Sequence, residues 1–193
     1  MAIVYASWKA TEENPKPDVS FVPPLERRRL TGVERAAFAV AHKVCPAGEV
    51  SVVFASRWGE IGTTLKLMRQ RHDEGDTSPA AFAVSVHNAT PGAWSLFTKN
   101  HASYTAIAAR DKTFETGLLV ALSRRERCLY VYAEESTPEF YRDTFESPVT
   151  AHSFAVLLDG SEDFGEIKSL WAGIFSPRTG DSPPTRTGDR PCQ

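Results

Sequence analysis

The sequence has little of the features that would reveal a function directly. Its three cysteines are scattered and form no CxxC pair, so the sequence does not support a zinc site. No apolar run approaches the length of a membrane span, and no basic region precedes an apolar core at the beginning of the chain. The net charge of −2 gives no electrostatic case for nucleic acid or an anionic membrane. These absences lead us to expect a cytoplasmic protein.

Several sequence motifs are also missing. The chain contains no GxGxxG, no GxxxxGK[ST] and no GxSxG, which excludes the simple nucleotide-binding and serine-hydrolase interpretations. His42, His72, His101 and His152 show no metal-ligand spacing. We therefore expect neither a metal ion nor a cofactor.

The composition is that of a globular protein with a real core. Hydrophobic residues make up 41% of the chain and charged residues 24%, which is ordinary for a globular domain. We predict one domain over residues 1–175. Residues 176–193 are rich in Pro, Arg and Asp and have little apolar surface to bury, so we predict a disordered tail.

Segments with the apolar pattern of a helix alternate along the chain with segments that have the apolar pattern of a strand. Thr31 and Glu34 form a capping-box sequence before a helix whose apolar face runs from Val33 to Val44. Further helices are predicted at 61–70 and 164–174, and strands at 3–6, 50–55, 128–133 and 153–158. Alternation of this kind predicts an α/β fold, a layered sheet with helices on its faces.

A strand followed closely by a helix forms the centre of the chain. The strand is predicted at 103–109, the turn at 110–112 and the helix at 113–123, with Phe114, Leu118, Leu119 and Leu122 on one stripe. Such a turn lies at the carboxyl edge of a sheet, where α/β enzymes commonly place their chemistry. Here it holds Arg110 and Asp111 instead of Ser or Cys. Either Arg110 is part of a solvated turn, or it fills the place of a nucleophile.

Two segments around this turn carry a resemblance to a known family. SPAAFAVSVHNATPGAW (78–94) and TAIAARDKTFETGLL (105–119) follow RRRLTGVERAA (27–37) and VVFASRWGE (52–60) in the same chain. Together they resemble the N-terminal half of a beta-ketoacyl synthase. More narrowly, they resemble the short chain length factors of aryl polyene and related lipid clusters. The resemblance implies one half of a thiolase-like fold, with a mixed sheet.

The resemblance also implies a function. In an active synthase a cysteine ends the central strand and attacks an acyl thioester; that cysteine would fall at Arg110, give or take one residue. The two histidine partners of that cysteine lie in a C-terminal half that this chain does not include. We therefore expect a non-catalytic chain length factor that forms a heterodimer with a ketosynthase in polyene or fatty-acid-type biosynthesis. An acyl carrier protein is the second expected partner.

By the same resemblance, one segment faces the partner's acyl tunnel. Ala81 and Phe82 would be the gate residues, with Ser85, His87 and Asn88 beside them. Because a packed cavity cannot accept even one extra methylene group without strain, a bulky Phe82 could set the length of the product. The structural alternatives are that Phe82 is a core residue, that His87 is a hydrogen-bonded structural histidine, and that Asn88 caps a helix.

Other interpretations remain open at this level. The chain could be a shortened beta-ketoacyl synthase or acyl-transfer enzyme that uses His87 or a cysteine, although Cys45 and Cys128 look like small core residues. It could also be a scaffold that binds a synthase without shaping its tunnel. Trp94 and Phe97 are expected as exposed interface aromatics. The arginines at 27–29 and at 124, 125 and 127 form either carrier-protein docking clusters or solvated surface.

Overall fold

The computed structural model describes residues 3–144 and 149–175 of the chain. Within these ranges the strands are β1 (Val4–Lys9), β2 (Ser51–Ala55), β3 (Tyr104–Ile107), β4 (Cys128–Glu134) and β5 (His152–Leu158). The helices are α1 (Pro24–Arg27), α2 (Gly32–Val44), α3 (Ile61–Glu74), α4 (Pro79–Ala83), α5 (Ala89–Thr98), α6 (Thr113–Ser123) and α7 (Phe164–Phe175). Short 3-10 turns occupy Arg110–Lys112 and Glu139–Tyr141.

The five strands form one mixed sheet in the order β1-β5-β4-β2-β3. Strand β2 is parallel to both β3 and β4, whereas β5 is antiparallel to β4 and to β1. Every residue of the central strand β4 is buried, as expected when helices cover both faces. The predicted layered, mixed sheet is therefore confirmed.

Two apolar layers cover the faces of the sheet. On one face α2 and α5 pack through a cluster that includes Phe38, Val40 and Trp94. On the other face α6 and α7 pack through Phe114, Leu118 and Ile167, and the ring of Phe114 stacks on Trp171 at 4.2 Å. Helix α6 approaches the sheet closely at Gly117, where a Cβ would lie 2.8 Å from Ala55 and 2.9 Å from Tyr130. The two layers fix the position of the turn that precedes α6.

Several sequence predictions of burial were wrong, although the elements themselves were confirmed. Leu119 is exposed, because α6 turns Phe114, Leu118 and Ala121 inward instead. Trp94 is buried and Phe97 is half-buried, so neither is an exposed interface aromatic. Trp94 packs edge-on against Phe38 at 5.0 Å. The tail predicted to be disordered, residues 176–193, lies outside the described residues. None of the described helices has both the length and the apolar character needed to cross a bilayer.

The capping box predicted at the start of α2 is present, and its threonine also bonds to the residue that precedes a second helix. Thr31 Oγ1 accepts a hydrogen bond from the Glu34 backbone N–H at 3.1 Å and donates to Glu60 Oε1 at 2.6 Å. Glu60 stands at the N-cap of α3. Glu135 accepts a 2.6 Å hydrogen bond from the Gly62 backbone N–H in the first turn of α3. Three carboxyl groups thus meet where the N-termini of α2 and α3 join the sheet.

Burial disfavours the charged forms of these carboxyl groups. Burial raises the pKa of Glu60 from 4.5 to about 8, and the nearby charges of Glu34 and Glu135 add to the shift. Burial also raises the pKa values of Glu34 and Glu135. Folding therefore keeps a proton on Glu60 that the unfolded chain releases once the pH exceeds the usual value.

We predict that Glu60 makes the fold less stable as pH rises. Its contribution is fully present below pH 4.5 and is lost as pH rises toward about 8, with a slope of up to about 1.4 kcal/mol per pH unit. Glu60→Gln should flatten this dependence, as measured by urea denaturation across that window. The exposed Glu12→Gln change is the control. An identical pH dependence for Glu60→Gln and the unchanged chain would contradict the assignment.

Candidate functional site

The turn between β3 and α6 has the geometry of a tight elbow. Arg110 adopts a φ of 50°, in the left-handed region that residues other than glycine rarely occupy. The Thr113 hydroxyl accepts from the Ala109 backbone N–H at 2.9 Å and donates to the Arg110 carbonyl at 2.6 Å. The elbow is therefore held by its own hydrogen bonds. The side chain of Arg110 is exposed, which favours the solvated turn over a filled nucleophile position.

The loop after β2 lies beside the elbow because β2 and β3 are parallel neighbours. Arg57 in this loop forms a 2.9 Å ion pair with the exposed Asp111. The guanidinium of Arg57 also lies 5.1 Å from the ring centroid of Trp58, within the range of a cation–π contact. This pair joins the ends of two strands at the carboxyl edge of the sheet.

The buried side chain of Glu134 holds the loop after β2 in place. Glu134, at the end of β4, accepts hydrogen bonds from the Arg57 backbone N–H and from Ser56 Oγ at 3.2 Å. Tyr132 adds a further side-chain hydrogen bond, while burial raises the pKa of Glu134. Glu134 was not among the site residues predicted from the sequence. The available signal was an acidic residue directly after an apolar run, at the same sheet edge as the elbow.

His87 connects the segment from 78 to 88 to the end of β3, just before the elbow. Its Nε2 lies 3.0 Å from the carbonyl oxygen of Ile107, the last residue of β3. Its ring faces Phe54 at 5.9 Å between centroids. On the other side, a Cβ added at Gly59 would lie 2.7 Å from His87 Nδ1, so this position needs glycine. These contacts favour the structural histidine over a catalytic base.

The remaining residues of this segment are more exposed to solvent than core residues would be. Phe82 on α4 is 60% exposed, so the alternative that it is a core residue was wrong. Ala81 and Ser85 are half-buried, and Ser85 Oγ donates to the Phe82 carbonyl at 2.8 Å. Asn88 occupies the N-cap of α5 without a side-chain cap hydrogen bond. That these residues face a partner stays a prediction.

The cysteines within the described residues do not offer an accessible nucleophile. Cys45 and Cys128 are both buried, as expected for small core residues. Burial raises the pKa of the Cys128 thiol to about 11. Because the thiolate is the reactive form, Cys128 is poorly suited to acyl transfer. The part of the chain that the structure describes also contains no cluster of His, Cys, Asp and Glu side chains that could hold a metal ion.

The strain at Arg110 yields a prediction for stability. A left-handed residue with a side chain costs about 1–2 kcal/mol, while glycine loses about 0.5–1 kcal/mol through its freer unfolded state. Arg110→Gly should therefore raise the free energy of unfolding by roughly 0.5–1 kcal/mol, measured by chemical denaturation. Arg142→Gly, at a φ of −59°, should slightly destabilise. If Arg110→Gly destabilised more than the control, the side chain would have a structural role.

Comparisons with known proteins agree with this architecture. The chain matches the family described as beta-ketoacyl synthase, N-terminal domain, over residues 5–179. No curated protein sequence matches the chain. Among solved structures it is similar to a chain of the complex of the ketosynthase ApeO with its chain length factor ApeC from Xenorhabdus doucetiae. That match has 26% identity and a TM-score of 0.67, and it covers 72% of this chain and 61% of that chain.

Two more distant structures share the fold. One is a beta-ketoacyl synthase from Burkholderia phymatum STM815, at 13% identity and a TM-score of 0.56, covering 78% of this chain and 46% of that chain. The other is the ishigamide ketosynthase/chain length factor, at 15% identity and a TM-score of 0.51, covering 79% and 47%. The chain thus spans less than two thirds of the length of each of these structures. It has one half of a thiolase-like fold and belongs to the beta-ketoacyl synthase N-terminal domain family.

Proposed function

We propose that this chain acts as a chain length factor, a non-catalytic subunit that pairs with a catalytic ketosynthase. The observation that carries this proposal is the elbow, a strand-to-helix turn with a strained residue, Arg110, and with neither Ser nor Cys among residues 109–112. A guanidinium cannot form a thioester. The similarity at 26% identity to a ketosynthase–chain length factor complex supports the same role.

The edge strand β3 suits a large protein interface. Strand β3 pairs with β2 along one side, and no other strand of the described ranges covers its second side. An edge strand with free N–H and C=O groups invites pairing with another chain. Tyr104 on this strand, Phe82 on α4 and Val86 after it are all exposed large apolar residues. We therefore propose β3 and the segment from 78 to 88 as the surface that meets the ketosynthase.

Within that surface Phe82 is our candidate for setting product length. It lies on a short helix beside the half-buried Ala81, with Ser85, His87 and Asn88 following. We propose that Ala81 and Phe82 project toward the partner's acyl tunnel. A growing polyene or fatty-acid-type chain would then stop at the phenylalanine ring. Chain growth would be limited by steric exclusion, with no covalent step on this subunit.

An acyl carrier protein would deliver building blocks to the catalytic partner, in the cytoplasm. Both arginine clusters predicted from the sequence present two exposed members, Arg28 and Arg29 in one and Arg125 and Arg127 in the other. Arg124 donates to Ser103 Oγ at 2.9 Å and to Thr105 Oγ1 at 2.7 Å, so it is committed to β3. We propose the four exposed arginines as candidates for contact with an acidic partner.

Co-expression with a catalytic ketosynthase tests the proposal. We predict a one-to-one complex by size exclusion with mass determination. Phe82→Asp should break this complex because it places a charge in an apolar contact. Phe82→Ala should keep the complex and yield longer products, measured by mass spectrometry of the released chains.

Phe140 provides a matched control, since it is 62% exposed and belongs neither to β3 nor to the segment from 78 to 88. Phe140→Asp and Phe140→Ala should leave both the complex and the products unchanged. A complex whose products are unaffected by Phe82→Ala would favour a scaffold. The heterodimer proposal fails if the ketosynthase forms its own homodimer and leaves this chain unbound. Condensing activity of the chain alone would favour the shortened synthase.

A further inference from the structure

The segment from 78 to 88 carries the candidate for setting product length, yet burial does little to hold it in place. No residue of α4 is buried, and no residue from Met68 to Ala89 is buried either. Helix α5, by contrast, buries Thr90 and Trp94 directly after it. Because few buried contacts mean low local stability, the position of this segment depends on a small number of specific contacts.

Hydrogen bonds inside the segment make it a single unit. The Phe82 carbonyl accepts from the Ser85 hydroxyl at 2.8 Å and from the Ser85 backbone N–H at 3.0 Å. The Phe82 N–H donates to the Ser78 carbonyl at 2.9 Å. Ser85 stands two residues before His87. A displacement of His87 would therefore move Phe82 as well.

One hydrogen bond of the segment reaches a distant element. His87 Nε2 lies 3.0 Å from the Ile107 carbonyl oxygen, and because a carbonyl can only accept, Nε2 carries the proton. Within residues 3–144 and 149–175, the other hydrogen bonds of the segment join positions at most four apart. The Ile107 carbonyl also accepts from the Ser56 backbone N–H at 3.2 Å, so it keeps a partner when the histidine is replaced.

The loop after β2 confines His87 from the other side. A Cβ added at Gly59 would lie 2.7 Å from Nδ1, so the imidazole occupies the space that a side chain at this position would need. The Gly59 N–H donates to Ser56 Oγ at 2.8 Å, and Ser56 Oγ donates to Glu134 at 3.2 Å. The buried end of β4 thereby fixes the loop against which His87 rests.

We propose that His87 is a positioning residue that sets where Phe82 stands in the partner's acyl tunnel. The inference rests on the proposed function and adds to it the residue that holds the gate residue in place. With the histidine present, the segment keeps the Phe82 ring at one depth, and chain growth stops at one length. Without it the segment shifts, and because a steric stop depends on distance, longer chains are accepted as well.

The products made together with a catalytic ketosynthase test this proposal by mass spectrometry. His87→Ala removes the donor and should raise the share of chains longer than the main product by about three- to tenfold, the effect of losing one hydrogen bond. His87→Gln keeps an N–H donor and should restore the main product. His72→Ala, at an exposed histidine of α3, is the control and should leave the products unchanged.

A double variant shows whether His87 acts through Phe82. If it does, Phe82→Ala combined with His87→Ala should give the same product lengths as Phe82→Ala alone, because no ring remains to be positioned. Longer products from the double variant than from Phe82→Ala would show an independent effect and overturn the positioning role.

Two glycine variants disturb His87 from the opposite side. Gly59 and Gly75 have positive φ values of 54° and 74°, so alanine carries a similar backbone cost at each. A Cβ at Gly75 meets nothing within 4 Å, whereas one at Gly59 displaces the imidazole. Gly59→Ala should therefore reproduce the product shift of His87→Ala, and Gly75→Ala should not. This pair carries the test if His87→Ala fails to fold, and equal effects of the two would overturn the proposal.

Hydrogen exchange of the chain alone gives a readout that needs no ketosynthase. His87→Ala should speed exchange over residues 80–88 by about three- to tenfold, while the amides of β4 stay protected. Faster exchange over β4 to the same extent would show a general loss of stability and contradict a local anchor.

The outcomes separate this inference from the proposed function. Unchanged product lengths in His87→Ala, in a complex where Phe82→Ala lengthens the products, would overturn the positioning role alone. A chain that forms no complex with the ketosynthase, or products unaffected by Phe82→Ala, would contradict the proposed function and this inference with it.

Discussion

The loops at the carboxyl edge of the sheet depend on the buried side chain of Glu134. It accepts hydrogen bonds from the Arg57 backbone N–H and the Ser56 hydroxyl, and it lies at the end of the fully buried strand β4. The loop that it fixes carries Arg57 to Asp111 of the elbow. Because an unpaired backbone group is costly to bury, this one acceptor sets both the course of the loop and the position of the elbow against it.

The elbow is a strained turn that its surroundings hold in place. Thr113 closes the turn from within, α6 is seated on the sheet at Gly117, and Arg110 retains a left-handed backbone. Strain of this kind persists only where the surroundings determine it. His87 brings the next segment to the same place through the Ile107 carbonyl. The architecture thus supports a surface that shapes a partner's reaction, as we propose.

Local patterns in the sequence predicted most of the fold. The capping box at Thr31, the apolar run before Ser56 and the strand–turn–helix at 103–123 all depend on neighbours in sequence, and the structure confirms them. Burial at Leu119 and Trp94 was misjudged because it depends on which distant element packs above each residue. The hydrogen bonds of Glu60 and Glu134 join residues 29 and 77 or more positions apart, beyond the reach of any local pattern.

The central claim is that this chain takes no covalent part in condensation. Intact-protein mass spectrometry tests it after incubation with an acyl-carrier-protein thioester, with the chain alone and together with a catalytic ketosynthase. Our account predicts that the ketosynthase gains the mass of the acyl group while this chain stays unmodified in both samples. A stable acyl adduct on this chain would contradict the account and place a nucleophile within it.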